Sequence, residues 1–130
     1  MYVSEHHIEN EYTSYRVEDG ILFHVYKPNT VIDLDAARII TADRIEFQHH
    51  TAYPILCDVR GVIEADKAGR DYIARRGFVL AKAVAFLVHI PIGMGLMQYF
   101  LEIHKPRPDV PTHLFTEESR AIDFLKPYTV

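Results

Sequence analysis

Tyr53-Pro54-Ile55-Leu56-Cys57-Asp58-Val59-Arg60-Gly61-Val62 is the stretch on which the fold turns. Tyr53-Pro54 leads into three consecutive apolar residues, and Asp58 closes them. Unbroken hydrophobicity of this length suits a central strand covered on both faces, whereas a half-exposed strand alternates. Such a strand needs neighbours on both edges and helices on both sides, and the flanking sequence supplies them. Upstream, Asp33 is placed to cap a helix and Asp35 to sit in its first turn. Leu34, Ala36, Ala37, Ile39, Ile40, Ala42, Ile45 and Phe47 give that helix a broad apolar face. Before it, Glu11–Glu18 and Ile21–Tyr26 read as two strands joined at Asp19-Gly20, a tight-hairpin signal. Lys27-Pro28-Asn29 ends the second strand, since Pro28 has no N–H to donate.

Downstream, Asp66 is placed to cap a second helix carrying Tyr72 and Ile73. Ala83–Val88 reads as another buried strand. Leu96, Phe100 and Ile103 share a face of a third helix that opens near Gly95 and stops at Lys105-Pro106-Arg107-Pro108. Thr112–Phe115 makes a last strand, and Thr116 would cap a final helix with Ala121, Ile122 and Leu125 inward and Pro127 at its end. The predicted order is β-β-α-β-α-β-α-β-α. It describes an α/β domain with a mostly parallel, mixed five-stranded sheet, an N-terminal hairpin and about four helices. Residues 1–10 read as an extension and 11–130 as a single domain.

Composition narrows the function classes. The chain has 130 residues, 18 acids against 14 Lys and Arg, and a net charge of −4, which disfavours nucleic acid as a general partner. One cysteine cannot build a disulfide framework and fits a reducing cytoplasm. Ala83–Leu101 lacks Asp, Glu, Lys and Arg, but His89, Pro91, Gly93, Gly95 and Gln98 interrupt it, so membrane insertion is not expected.

Reactive residue types are present without diagnostic spacing. The pairs His6-His7 and His49-His50 diverge on a helix or a strand and form no chelating set, so no metal site is expected. Cys57 lies inside an apolar run and reads as a core thiol. Gly93-Met94-Gly95 lacks the third glycine of a dinucleotide fingerprint, Gln98 standing in its place, and no cofactor is implied. Arg70, Arg75 and Arg76 form a basic patch on the second helix, and Lys105 and Arg107 form another.

The order of elements is similar to that of STAS domains, found in anti-sigma factor antagonists and at the ends of sulphate transporters. That family often reads apolar-apolar-Asp-apolar-Ser-Gly-Val, followed by Asp-Ser-Ser-Gly at the next helix. Here Leu56-Cys57-Asp58-Val59-Arg60-Gly61-Val62 is followed by Asp66-Lys67-Ala68-Gly69. Asp58, Gly61, Val62, Asp66 and Gly69 fall into register. In the family a serine after the second Asp takes phosphate from a partner kinase, and the added charge switches binding. Lys67 and Ala68 occupy those positions here, and no Ser or Thr occurs between Thr51 and Thr112.

The resemblance implies a non-enzymatic protein-interaction or regulatory module without the usual phosphoacceptor, of a kind known from small bacterial proteins. Its partner-facing or ligand-facing residues would be Asp58, Arg60, Gly61, Asp66, Lys67, Gly69 and Arg70. The partner would be an unidentified protein, with Met94, Met97 and Tyr99 extending the contact or joining two copies in a homodimer. The alternative is a binding domain for an anionic or lipid-like small molecule near Asp58, Lys67 and Arg70. A third reading is a hydrolytic or acid–base enzyme pairing Asp58 with His89 or His113.

Overall fold

The computed structural model describes residues 7–89 and 109–129. The chain forms β1 (His7–Glu9), β2 (Thr13–Glu18), β3 (Ile21–Tyr26), β4 (Thr30–Ile32) and α1 (Leu34–Gln48), then β5 (Tyr53–Asp58), β6 (Val62–Ala65) and α2 (Lys67–Arg76). β7 (Ala81–Leu87), β8 (Thr112–Phe115), α3 (Glu118–Leu125) and a 3-10 turn at Lys126–Tyr128 complete the described elements. The third helix read from sequence, with Gly93, Gly95, Met94, Met97 and Tyr99, lies outside the described residues, as does His6.

The main sheet has six strands in the order β1-β2-β3-β5-β7-β8. β1, β2 and β3 are antiparallel, and the pairs from β3 through β8 are parallel. β5 is central, as its unbroken apolar run requires, and Leu56 pairs with Phe23 on one side and Ala85 on the other. The sheet exceeds the expected five strands because His7–Glu9, read from sequence as part of an extension, pairs with Ser14–Arg16. The hairpin turn is as expected: Asp19 and Gly20 both adopt positive φ, 51° and 80°, which a two-residue turn of matching twist demands.

Residues alternate across the sheet. Leu22, Ile55, Val84 and Phe86 face α1 and join Ala36, Ala37 and Ile40 in one core cluster. Ile21, Phe23, Leu56, Ala83, Ala85 and Leu87 face the other way, with Ala121 and Leu125 of α3. Asp33 caps α1 by accepting from Ala36 N at 2.8 Å. Thr116 does not cap α3: the position before the helix is Glu117, whose side chain makes no capping bond.

The inward face of α1 also differs from its apolar pattern. Ile39 and Ala42 are exposed, while Arg44 and Gln48 are buried, Arg44 to 2 % exposure. Arg44 donates to the carbonyls of Val79 (2.8 Å) and Gly77 (3.1 Å) and to Gln48 Oε1. Gln48 Nε2 donates to the carbonyls of Thr51 (2.9 Å) and Leu80 (3.0 Å). Backbone dipoles therefore solvate the buried cation, and α1 is tied to the loop that enters β7. Leu80 takes φ of 63° there, a left-handed conformation that costs about 1–2 kcal/mol for a side-chain-bearing residue. Its carbonyl, also bonded by Tyr53 N at 3.1 Å, fixes it in place.

Truncating Arg44 to alanine leaves the Gly77 and Val79 carbonyls without this donor. Arg44→Ala is expected to lower the unfolding free energy by about 3 kcal/mol in urea titrations. A loss below about 1 kcal/mol would show that the network does not hold the loop.

Candidate functional site

Two backbone approaches shape the region after β5. The chain leaves Asp58, turns at Val59–Gly61 and runs against the end of β3. A Cβ on Gly61 would sit 2.4 Å from the Lys27 carbonyl oxygen and 2.6 Å from that of Tyr26, closer than packed atoms approach. Gly61 O accepts from Thr30 N at 3.0 Å, which starts a small parallel sheet of β4 and β6. At its far end Asp66 N donates to Ile32 O at 3.0 Å. The Asp66 carboxylate then caps α2 by accepting from Gly69 N at 2.8 Å. A Cβ on Gly69 would lie 2.8 Å from Ile32 O and 3.1 Å from Asp33 O, so glycine lets the start of α2 press against the start of α1.

The seven residues singled out from sequence therefore divide. Gly61, Asp66 and Gly69 hold backbone together. Asp58, 8 % exposed, gives both carboxylate oxygens to Arg60: Nε to Oδ1 is 2.9 Å and Nη2 to Oδ2 is 2.7 Å. Arg60 N also donates to Oδ1 at 3.1 Å. The carboxylate raises the Arg60 pKa through those bonds. Arg70 donates to the Ala65 carbonyl, and Lys67 reaches outward to Asp71 at 2.7 Å. His113 is exposed and packs edge-on against Phe124, with ring centroids 5.0 Å apart.

Sequence reading missed the apolar residues of this region. Val31 is 44 % exposed and Ile63 is 65 % exposed. β4 pairs Thr30 with Val62 and Val31 with Glu64, with a register shift between them. Ile63 falls at that irregularity, beside Val31. The available signal was β-branched: Thr30-Val31-Ile32 and Val62-Ile63, runs too short to register as strands.

A second cluster lies beneath α1. Tyr15, His24 and Cys57 pair in one row across β2, β3 and β5. The His24 ring centroid is 4.7 Å from both Tyr15 and Tyr26. His24 Nδ1 lies 3.9 Å from Cys57 Sγ, and His24 Nε2 has no hydrogen-bond partner among the described residues. Burial, aided by the Arg44 charge, drives the His24 pKa down to about 3. Burial and the Asp58 charge push the Cys57 thiol up to about 12. This row therefore holds a neutral imidazole and a protonated thiol at neutral pH. The Tyr15 hydroxyl donates to Ile40 O at 2.5 Å and ties the row to α1.

His49 and His50 are exposed, and among the described residues no three metal-ligating side chains come together. No described helix is long and apolar enough to cross a membrane. β7 takes up the start of the uncharged stretch as a strand.

The architecture is STAS-like. A solved structure of an uncharacterised DUF3478-family protein with a SpoIIAA-like fold, from Shewanella loihica PV-4, superposes with a TM-score of 0.62 at 12 % identity, covering 91 % of this chain and 98 % of that one. At that identity the likeness is one of fold. Residues 15–129 match the family described as Domain of unknown function (DUF7793), and the chain belongs to that family. No curated protein matches the sequence.

Two outcomes follow from these contacts. Gly61→Ala forces the loop away from the Lys27 carbonyl and is expected to cost roughly 3 kcal/mol in chemical denaturation. His24 is also expected to set an acid limit on stability. Its pKa is about 3 in the fold, against about 6.5 in an unfolded chain. The unfolded state therefore binds the proton first, and His24's stabilising contribution, complete above about pH 6.5, falls away toward pH 3. The full effect is on the order of several kcal/mol. Tyr15, Tyr26, Cys57 and Arg44 surround the ring, and none is an acid that ionises in that window. His24→Leu should flatten the melting temperature between pH 6.5 and 4; an unchanged slope would assign the acid sensitivity elsewhere.

Proposed function

We propose that this chain is a non-enzymatic protein-interaction module, working in the cytoplasm, whose contact surface is the β4–β6 sheet with the start of α2. One observation carries the reading. Ile63 and Val31, at 65 % and 44 % exposure, are both left in solvent on two neighbouring strands joined by backbone pairing. Large β-branched side chains contribute little to stability when left in water and much to an interface when covered. The backbone beneath them is fixed by Gly61, Asp66 and Gly69, so docking needs little ordering.

The STAS-like fold supports a regulatory setting, but regulation at this turn would not use the family's phosphoserine. Lys67 and Ala68 offer no hydroxyl, and the amide of Gly69, a natural anion donor at a helix start, is already bonded to Asp66. A contact here would be constitutive or controlled from the partner's side.

Affinity capture from the native host with wild-type protein and with Ile63→Asp tests the proposal. The exposed position tolerates the change, so both proteins should melt within about 2 °C of each other. The specific partner should be at least tenfold depleted with Ile63→Asp, and undiminished capture would remove this surface from the contact.

A further inference from the structure

We propose that the outer face of α2 selects an acidic partner segment, anchored at one end by an apolar side chain over Ile63 and Val31. This rests on the interaction reading above and adds the chemistry of the partner.

The charge on α2 runs against the rest of the chain. Lys67-Ala68-Gly69-Arg70-Asp71-Tyr72-Ile73-Ala74-Arg75-Arg76 carries four cations and one carboxylate, in a protein of net charge −4. Only Gly69 and Ala74 of this helix are buried, so its charges lie at the surface. Lys67 leans on Asp71 at 2.7 Å, and the Arg70 guanidinium is held over the head of the helix by the Ala65 carbonyl. Arg75 spans back along the helix, its Nε 3.4 Å from Asp71 O and its guanidinium 6.0 Å from the Tyr72 ring. Arg75 and Arg76 are both exposed in the last turn.

Two acids sit at the head of this face, Glu64, exposed next to Ile63 in the chain, and Asp66, whose carboxylate caps the helix, while Asp71 within the helix is paired with Lys67. That arrangement gives the surface a direction. Apolar contact is available at the head, over Val31 and Ile63, where a partner carboxylate would meet Glu64. Carboxylates are favoured about 15 Å further on, the length of ten helical residues, at Arg75 and Arg76. A partner segment with an apolar residue at one end and acids toward the other matches both halves.

The same charges argue against a polyanion. Screening confines each charge to about 8 Å at physiological ionic strength. A short acidic segment laid on α2 therefore senses the local cations. A membrane or nucleic acid extends past the helix and meets the surplus carboxylates of the whole chain.

The test uses a synthetic 15-residue peptide with one Leu-Phe pair at one end and Asp and Glu along the remainder, a control peptide with Lys in place of the acids, and phosphatidylserine vesicles. Amide shifts of the full chain should move at Val31 and from Ile63 to Arg76 with the acidic peptide alone. Affinity should fall at least tenfold in Ile63→Asp, at least tenfold in the double variant Arg75→Glu/Arg76→Glu, and steeply with added salt. Shifts centred elsewhere, equal binding of the Lys peptide, or preferential binding of vesicles would overturn the proposal. Capture of the native partner separates the two readings. Loss with Ile63→Asp but full retention with Arg75→Glu/Arg76→Glu leaves an interaction module whose partner is not acidic. Retention with both variants removes the surface itself.

Discussion

The absence of two Cβ atoms governs how this domain presents its surface. Gly61 lets the chain after the central strand pass within van der Waals reach of the Tyr26 and Lys27 carbonyls, and Gly69 lets α2 begin against Ile32 and Asp33. With side chains at either point, β4 and β6 could not align, because their hydrogen bonds start at Gly61 O and finish at Asp66 N. The main sheet and the small one are therefore coupled through backbone alone. Everything outward of that coupling, including Ile63, Val31 and the first turn of α2, inherits its position from those two contacts.

This explains which parts of the molecule were legible in the sequence. The central strand, the hairpin, both aspartate caps and the alternation of strands and helices each have a local signature, and each is where the pattern placed it. The register Asp58, Gly61, Asp66 and Gly69 was legible too, as a resemblance. Its structural meaning was not: two glycines and a cap among the candidate binding residues also fasten backbone together. Exposure of Ile63 and Val31 was hidden because a two-residue apolar run looks the same inside a core or outside it. β1 escaped for a similar reason, as His7-Ile8-Glu9 becomes a strand only by pairing with β2.

Arg44 and Gln48 show a different kind of blindness. By polarity they belong to the solvent, and Ile39 to the core; the structure exchanges them, because the helical period sets Arg44 and Gln48 on the face of Ala37 and Ile40, and Ile39 on the opposite one. The exchange makes sense only with the loop at Gly77–Leu80 in place, since its carbonyls turn inward and need donors. Polarity describes a side chain against a featureless core, whereas a buried cation answers dipoles contributed thirty or more residues away. The left-handed Leu80 is part of the same arrangement. Its strained backbone aims a carbonyl at both Gln48 and Tyr53, and those two hydrogen bonds offset the cost.

Placing polar groups inside has one further consequence. With Arg44 charged and buried, the row of Tyr15, His24 and Cys57 lies near a cation within a low-dielectric interior. A protonated imidazole would be penalised twice, by lost hydration and by the cation, whereas a thiolate would gain from the cation and lose more to burial and to the Asp58 charge. The observed directions follow: His24 is held neutral far below its usual range, and Cys57 stays protonated despite Arg44. Desolvation and the Asp58 charge together thus outweigh the Arg44 attraction at Cys57. The row of Tyr15, His24 and Cys57 is chemically quiet at neutral pH for that reason.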